Sequence, residues 1–184
     1  FHHRQHIPVE LHWRIERPNI KLDITFDDLA QQAMPFEMNG QKAYAPGVVD
    51  CLLHLCTHWG QHHLFLAGLR PAVDVAEYVR HYESELDWDL FCATADRWGV
   101  SPMVDLCLQT ADELIGCRLP AQVRSRWQSN RTDSELRHLA VELTKSRPEV
   151  LVRYPVNLQN LFVRSSLRGR VQQAVGRFFP SRGE

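Results

Sequence analysis

Imidazoles carry the densest chemical signal in this chain. His54, His58 and His62 recur every fourth residue, which aligns them as a slowly drifting row on one helix face, and the stretch 48–66 around them holds four of the ten histidines. A neutral imidazole can bond to a carbonyl or carboxylate inside a core, ligate a metal, or donate a ring N–H to a phosphate or other substrate group. His54 and His58 have the i, i+4 spacing of a helical zinc pair, but no glutamate follows His54 as in His-Glu-x-x-His. The row is therefore either a core element that satisfies its polar atoms internally or one wall of a site. A second group is Glu10, His12 and Arg14, alternate residues of segment 8–16. A carboxylate, an imidazole and a guanidinium on one side of a strand suit a metal-phosphate site, and the same types also suit a solvated sheet face. Asp87-Trp88-Asp89 has the form of an Asp-x-Asp metal pair. It stands, however, at the start of a predicted helix, where aspartates cap free N–H groups and complement the dipole.

These groups need elements to hold them. In segment 8–16, Val9, Leu11, Trp13 and Ile15 alternate with the polar residues, the period of a half-buried strand that Pro18 ends. Thr25 or Asp27 can cap a short helix reaching Met34, and Asn39-Gly40 supplies the two-residue turn of a hairpin over 36–44. Pro46 and Gly47 then separate this region from helices. Apolar Val48, Leu52, Leu55, Trp59 and Leu66 predict one mostly buried α-helix over 48–66. A helix over 70–82 follows, with Val73, Ala76 and Val79 on its apolar side and Asp74 placed to orient a neighbouring imidazole through its ring N–H. Further helices are expected up to Trp98, from Ser101-Pro102 to Gly116, over 120–128 and over 134–145. From Asn157 the tail is amphipathic and basic, with Arg164, Arg168, Arg170 and Arg177 available for phosphate or an anionic surface.

The reading is a mainly α protein: a small N-terminal β portion, strand plus hairpin, followed by a multi-helix bundle. Its divisions fall at 1–45, 46–150 and 151–184. A formal charge of −1 gives no global field that would draw nucleic acid or membrane. No apolar run approaches the roughly 18 residues of a membrane span. The five cysteines are odd in number and form no Cys-x-x-Cys pair, which fits small buried hydrophobes of a reducing cytoplasm. The chain starts at Phe1, which raises the expectation that it begins partway through a longer protein.

Three stretches together carry a resemblance. They are Val9-Glu-Leu-His-Trp-Arg14; Asp50-Cys-Leu-Leu-His-Leu-Cys-Thr-His58 leading through Leu69-Arg70 to Asp74; and Leu86-Asp-Trp-Asp89 with Trp98-Gly99 and Leu114-Ile-Gly-Cys-Arg-Leu-Pro120. In this order they resemble the uncharacterised nucleotidyltransferase-like family, a branch of the polymerase-beta-type superfamily, over roughly residues 3 to 120. The resemblance implies a small mixed catalytic sheet joined to a helical domain that helps hold substrate, with an NTP and an acceptor as partners and Mg²⁺ as cofactor. It assigns Glu10 to the superfamily's third metal carboxylate, which can also draw the proton from the attacking hydroxyl. His12 and Arg14 would contact phosphate oxygens. His54, His58, His62 and Asp74 become candidates for substrate contacts or interdomain hydrogen bonds. The family's Gly-Ser turn is missing, and the lone Asp-x-Asp is the capping pair. The implied activity is thus nucleotidyl transfer by a complete protein of which this chain is an incomplete, inactive portion. Two other functions fit the residues: a noncatalytic helical interaction module, and a metal-dependent phosphohydrolase using His54, His58 and Asp74.

Overall fold

The computed structural model describes residues 24–129 and 134–146. Segment 8–16, with Glu10, His12 and Arg14, and the basic tail from Asn157 lie outside the described residues. Helix α1 (Phe26–Gln31) opens with a capping box: Thr25 Oγ1 accepts from Asp28 N–H at 3.1 Å, and the Asp28 carboxylate accepts from Thr25 N–H at 2.9 Å. It stops short of Met34, because Met34 is already the first residue of strand β1 (Met34–Met38). β1 pairs antiparallel with β2 (Gln41–Ala45), Phe36 opposite Ala43 and Met38 opposite Gln41. The connecting Asn39 and Gly40 have φ of 53° and 74°, the two positive values that a type I′ hairpin turn requires.

Behind the hairpin the chain is helical. Helix α2 (Val48–Thr57) starts against the residue after α1, since a Cβ on Gly47 would lie 2.6 Å from the Gln32 carbonyl oxygen. A π-helix (His58–His62) continues it, and then follow α3 (Arg70–His81), α4 (Trp88–Arg97), α5 (Ser101–Leu114), α6 (Ala121–Ser129) and α7 (Ser134–Lys145). Helix α5 is the hub: it packs against α2, the π-helix, α3, α4 and α7, and Met103 to Ala111 are all buried. Leu52, Leu53, Cys56 and Trp59 meet it there with Ala72, Val75 and Val79 of α3 and Phe91 of α4. The fold is mainly α with a two-stranded hairpin on its N-terminal side, and among the described residues no helix is long and apolar enough to cross a membrane.

Two further expectations need correction. The single α-helix over 48–66 is α only as far as Thr57. Thr57 Oγ1 donates to the His54 carbonyl at 3.1 Å, a back-bond that disturbs the helical ladder. The His63 N–H then reaches the His58 carbonyl, five residues back, at 3.2 Å. Leu64 and Phe65 end the element with φ of 50° and 63°, both buried despite the left-handed backbone. In α3 the buried side is Ala72, Val75, Ala76 and Val79, while Val73 is exposed. Asp87 does cap α4, its Oδ1 accepting from Asp89 N–H at 3.0 Å and Leu90 N–H at 2.9 Å, so the Asp-x-Asp pair is a helix start.

Candidate functional site

The face of α2 opposite its core contacts carries the imidazoles. Leu52, Leu53, Cys56 and Trp59 turn inward, and the row lies along the edge: His54 and His62 are half-buried and His58 is exposed. The row is therefore not a core histidine set. Its rings do come together, His54 and His58 at 5.6 Å between centroids and His58 and His62 stacked at 4.9 Å. A fourth ring joins them. His63 meets His58 edge-on at 4.6 Å, with their Nε2 atoms 3.0 Å apart. Four-residue periodicity passes over His63, because five residues on is about 140° round an α-helix. The π-helix removes that offset by placing residue 63 over residue 58.

Asp74 stands on the neighbouring helix in an open groove of about 760 Å³, lined also by Leu55, Glu77, Tyr78, His81 and Tyr82. Leu55 follows His54 directly, so groove and row border one another on α2. Asp74 pairs with Arg70 at 3.9 Å, and Glu77 with Arg80. Tyr78 donates its hydroxyl to the Val48 carbonyl at 3.1 Å and packs on Tyr82 at 4.6 Å, which fixes the groove wall to the start of α2. Among the described residues no group of three or more His, Cys, Asp or Glu side chains is arranged to hold a metal ion. His54, His58 and Asp74 are thus not the three-ligand set that the phosphohydrolase requires, and none of these groups offers Mg²⁺ its oxygen cage.

Asp50 is among the buried polar residues that the sequence did not single out. Asp50, in the first turn of α2, is 3% exposed, and its Oδ2 has no hydrogen-bond partner among the described residues. Burial pushes its carboxyl up to about 6; Arg97 offsets part of that, and Asp28 adds to it. Arg97 is itself held by Asp28, whose carboxyl is drawn down to about 2 by hydrogen bonds from Thr25 and then by Arg97. The signal in the sequence was a lone aspartate inside the apolar run 48–53, which also fits an ordinary first-turn acid.

The thiols are structural. All five cysteines are free; Cys56, Cys107 and Cys117 are buried, and burial pushes Cys117 up to about 12. The Cys107 thiol donates to the Cys56 carbonyl at 3.2 Å.

A family model described as uncharacterised nucleotidyltransferase matches residues 1–116, a span that takes in segment 8–16, the hairpin and the helices through α5. No curated protein and no solved structure matches the chain.

Proposed function

The chain belongs to the uncharacterised nucleotidyltransferase family, and from that premise we propose that it contributes a carboxylate and a helical substrate-holding domain to the transfer of a nucleotidyl group from an NTP to an acceptor hydroxyl. The carrying observation is the span of the match, which joins Glu10 to the helices bearing the imidazole row. Glu10 is proposed as one oxygen ligand of Mg²⁺ and as the base for the acceptor proton. Mg²⁺, when bound, would supply charge stabilisation to the phosphate oxygens. His12 and Arg14 are proposed to hold those oxygens by charge-assisted hydrogen bonds. His54, His58 and His62, together with Asp74, are proposed as substrate contacts; their support is a half-exposed imidazole edge bordering an open groove.

Two further carboxylates are needed for this chemistry. The 184 residues contain no Gly-Ser dipeptide, and their lone Asp-x-Asp caps α4. The purified chain by itself is therefore expected to transfer no nucleotide at an appreciable rate. Supplying a segment with a Gly-Ser turn and an Asp-x-Asp strand should give Mg²⁺-dependent NMP transfer that Glu10→Ala abolishes. Robust transfer by the 184-residue chain alone would refute the incomplete-site reading. Transfer by the supplemented protein that survives Glu10→Ala would refute the role of Glu10.

A further inference from the structure

Three uncommon features coincide between His58 and Phe65. The backbone is a π-helix, a form found mostly as single turns and often at functional sites. It runs into two consecutive buried residues, Leu64 and Phe65, held in the left-handed region, where non-glycine backbone is strained. Gly60 packs so tightly that an added Cβ would run into the Met103 side chain. Together these hold the backbone at the two ends of the π-turn, and the His58 and His63 rings meet across it. That geometry is specific: two exposed imidazoles, nearly perpendicular at 85°, with Nε2 atoms 3.0 Å apart.

We propose that His58 and His63 form a two-imidazole chelate for a divalent transition metal of tetragonal or octahedral habit, Cu²⁺ or Ni²⁺ in class. At ordinary metal–nitrogen lengths of about 2.0–2.1 Å, an ion on the bisector of the 3.0 Å Nε2 pair subtends an angle of about 94°. This is close to the 90° between cis ligands of a tetragonal ion. The ordinary affinity order of nitrogen ligands also places copper above zinc. Without metal, one ring donates its Nε2–H to the other; with metal, each ring keeps its proton on Nδ1 and turns its Nε2 lone pair to the ion, so the pair loses no net proton. His62 stacks its ring face on His58 and does not complete the set. Such a nitrogen site is chemically distinct from the carboxylate-held Mg²⁺ proposed for transfer, and it stands whether or not that reading does.

The test is titration of the metal-stripped full chain with Cu²⁺ at pH 7.5, in a His2→Gln, His3→Gln, His6→Gln background that removes competing imidazoles near the N-terminus. One equivalent should bind with an electron paramagnetic resonance spectrum showing two equatorial nitrogens. Affinity should fall by roughly 100-fold in either His58→Gln or His63→Gln, since each removes half the chelate, and should hold in His62→Gln. Circular dichroism of the variants separates loss of a ligand from loss of fold. A one-nitrogen spectrum, or affinity that His63→Gln leaves unchanged in a folded protein, would overturn the proposal.

Discussion

Replacing Asp50 by asparagine tests the electrostatics of α2 most directly. The carboxyl is raised from 3.8 to about 6, chiefly by burial, so the folded state prefers it neutral. A shift of that size is worth about 3 kcal/mol between the two charge states. The sign follows from linkage. Because the folded value lies above the unfolded one, the stability associated with the neutral acid is fully present below pH 3.8 and is lost as the pH rises through about 6. At pH 7.5 the native protein therefore holds an ionised, incompletely satisfied carboxylate. Asparagine keeps the shape and removes the charge. It also forfeits the favourable charge–dipole term at the first turn, about 0.5 kcal/mol, and buries an amide that needs partners of its own at a cost of about 1 kcal/mol. The net expectation is a variant more stable than the native chain by about 1–2 kcal/mol at pH 7.5 and less stable at pH 4. The amide cost cancels in the difference between the two pH values, which should come to about 2–2.5 kcal/mol, because at pH 4 the unfolded carboxyl is already partly ionised. Urea unfolding of both proteins at pH 4 and pH 7.5 measures it. A variant whose stability relative to the native chain is the same at both pH values would refute the reasoning, because an Asp50 in contact with solvent or firmly paired would give that result.

The remaining predictions concern the same framework. Gly60→Ala should destabilise the chain by about 1–3 kcal/mol, since the new methyl group must displace Met103 and crowd Cys107 in a packed core; thermal unfolding would show it, and unchanged stability would mean that the π-turn has room to spare. Asp87→Ala should cost about 1 kcal/mol by removing the acceptor for two N–H groups of α4. Asp87→Asn should restore most of that loss, because the amide oxygen also caps, and a failure of the asparagine to do so would point to a role for the charge itself.

Periodicity made the buried surfaces legible and lost the places where the backbone leaves its regular period. Thr25, Asn39-Gly40 and Asp87 announced a cap, a turn and a cap because each residue type satisfies N–H groups or positive φ locally. The row His54, His58, His62 was visible because four-residue spacing nearly closes a helical turn. Its burial was not, since the apolar residues on both sides of it suggested a helix enclosed all round. The π-turn had no such signature: the Thr57 back-bond is local, but the packing of Gly60 on Met103 joins residues more than forty apart in sequence. Val73 was placed on the wrong side of α3 because Ala72 and Val75 supply an equally apolar stripe one residue away. Asp50 was passed over for a similar reason. A first-turn aspartate is unremarkable until the neighbours that bury it are known.

Two costly features stand on one continuous stretch. Asp50 stands in the first turn of α2 with an oxygen unsatisfied, and the π-turn with its left-handed exit stands at the other end of the same continuous stretch. Each such feature costs about 1–3 kcal/mol, in a molecule whose margin of stability is about 5–15 kcal/mol. The hub helix α5 shows no comparable break in its backbone, although it is the more deeply buried of the two. Helix α5 buries a carboxylate of its own, Asp105 at 4% exposed, so it is the π-turn that sets the α2 stretch apart. What α2 has that α5 lacks is an outer edge of imidazoles beside an open groove, and the two features bracket that edge in sequence. Asp50→Asn, which removes the charge, and Gly60→Ala, which forces Met103 and the π-turn apart, should both leave the bundle folded. If the strain serves the imidazole edge, it is the Gly60 change that should abolish Cu²⁺ binding by separating His63 from His58, while Asp50→Asn leaves that binding intact. Equal loss from both would mean that the edge depends on the whole of α2 and not on the π-turn.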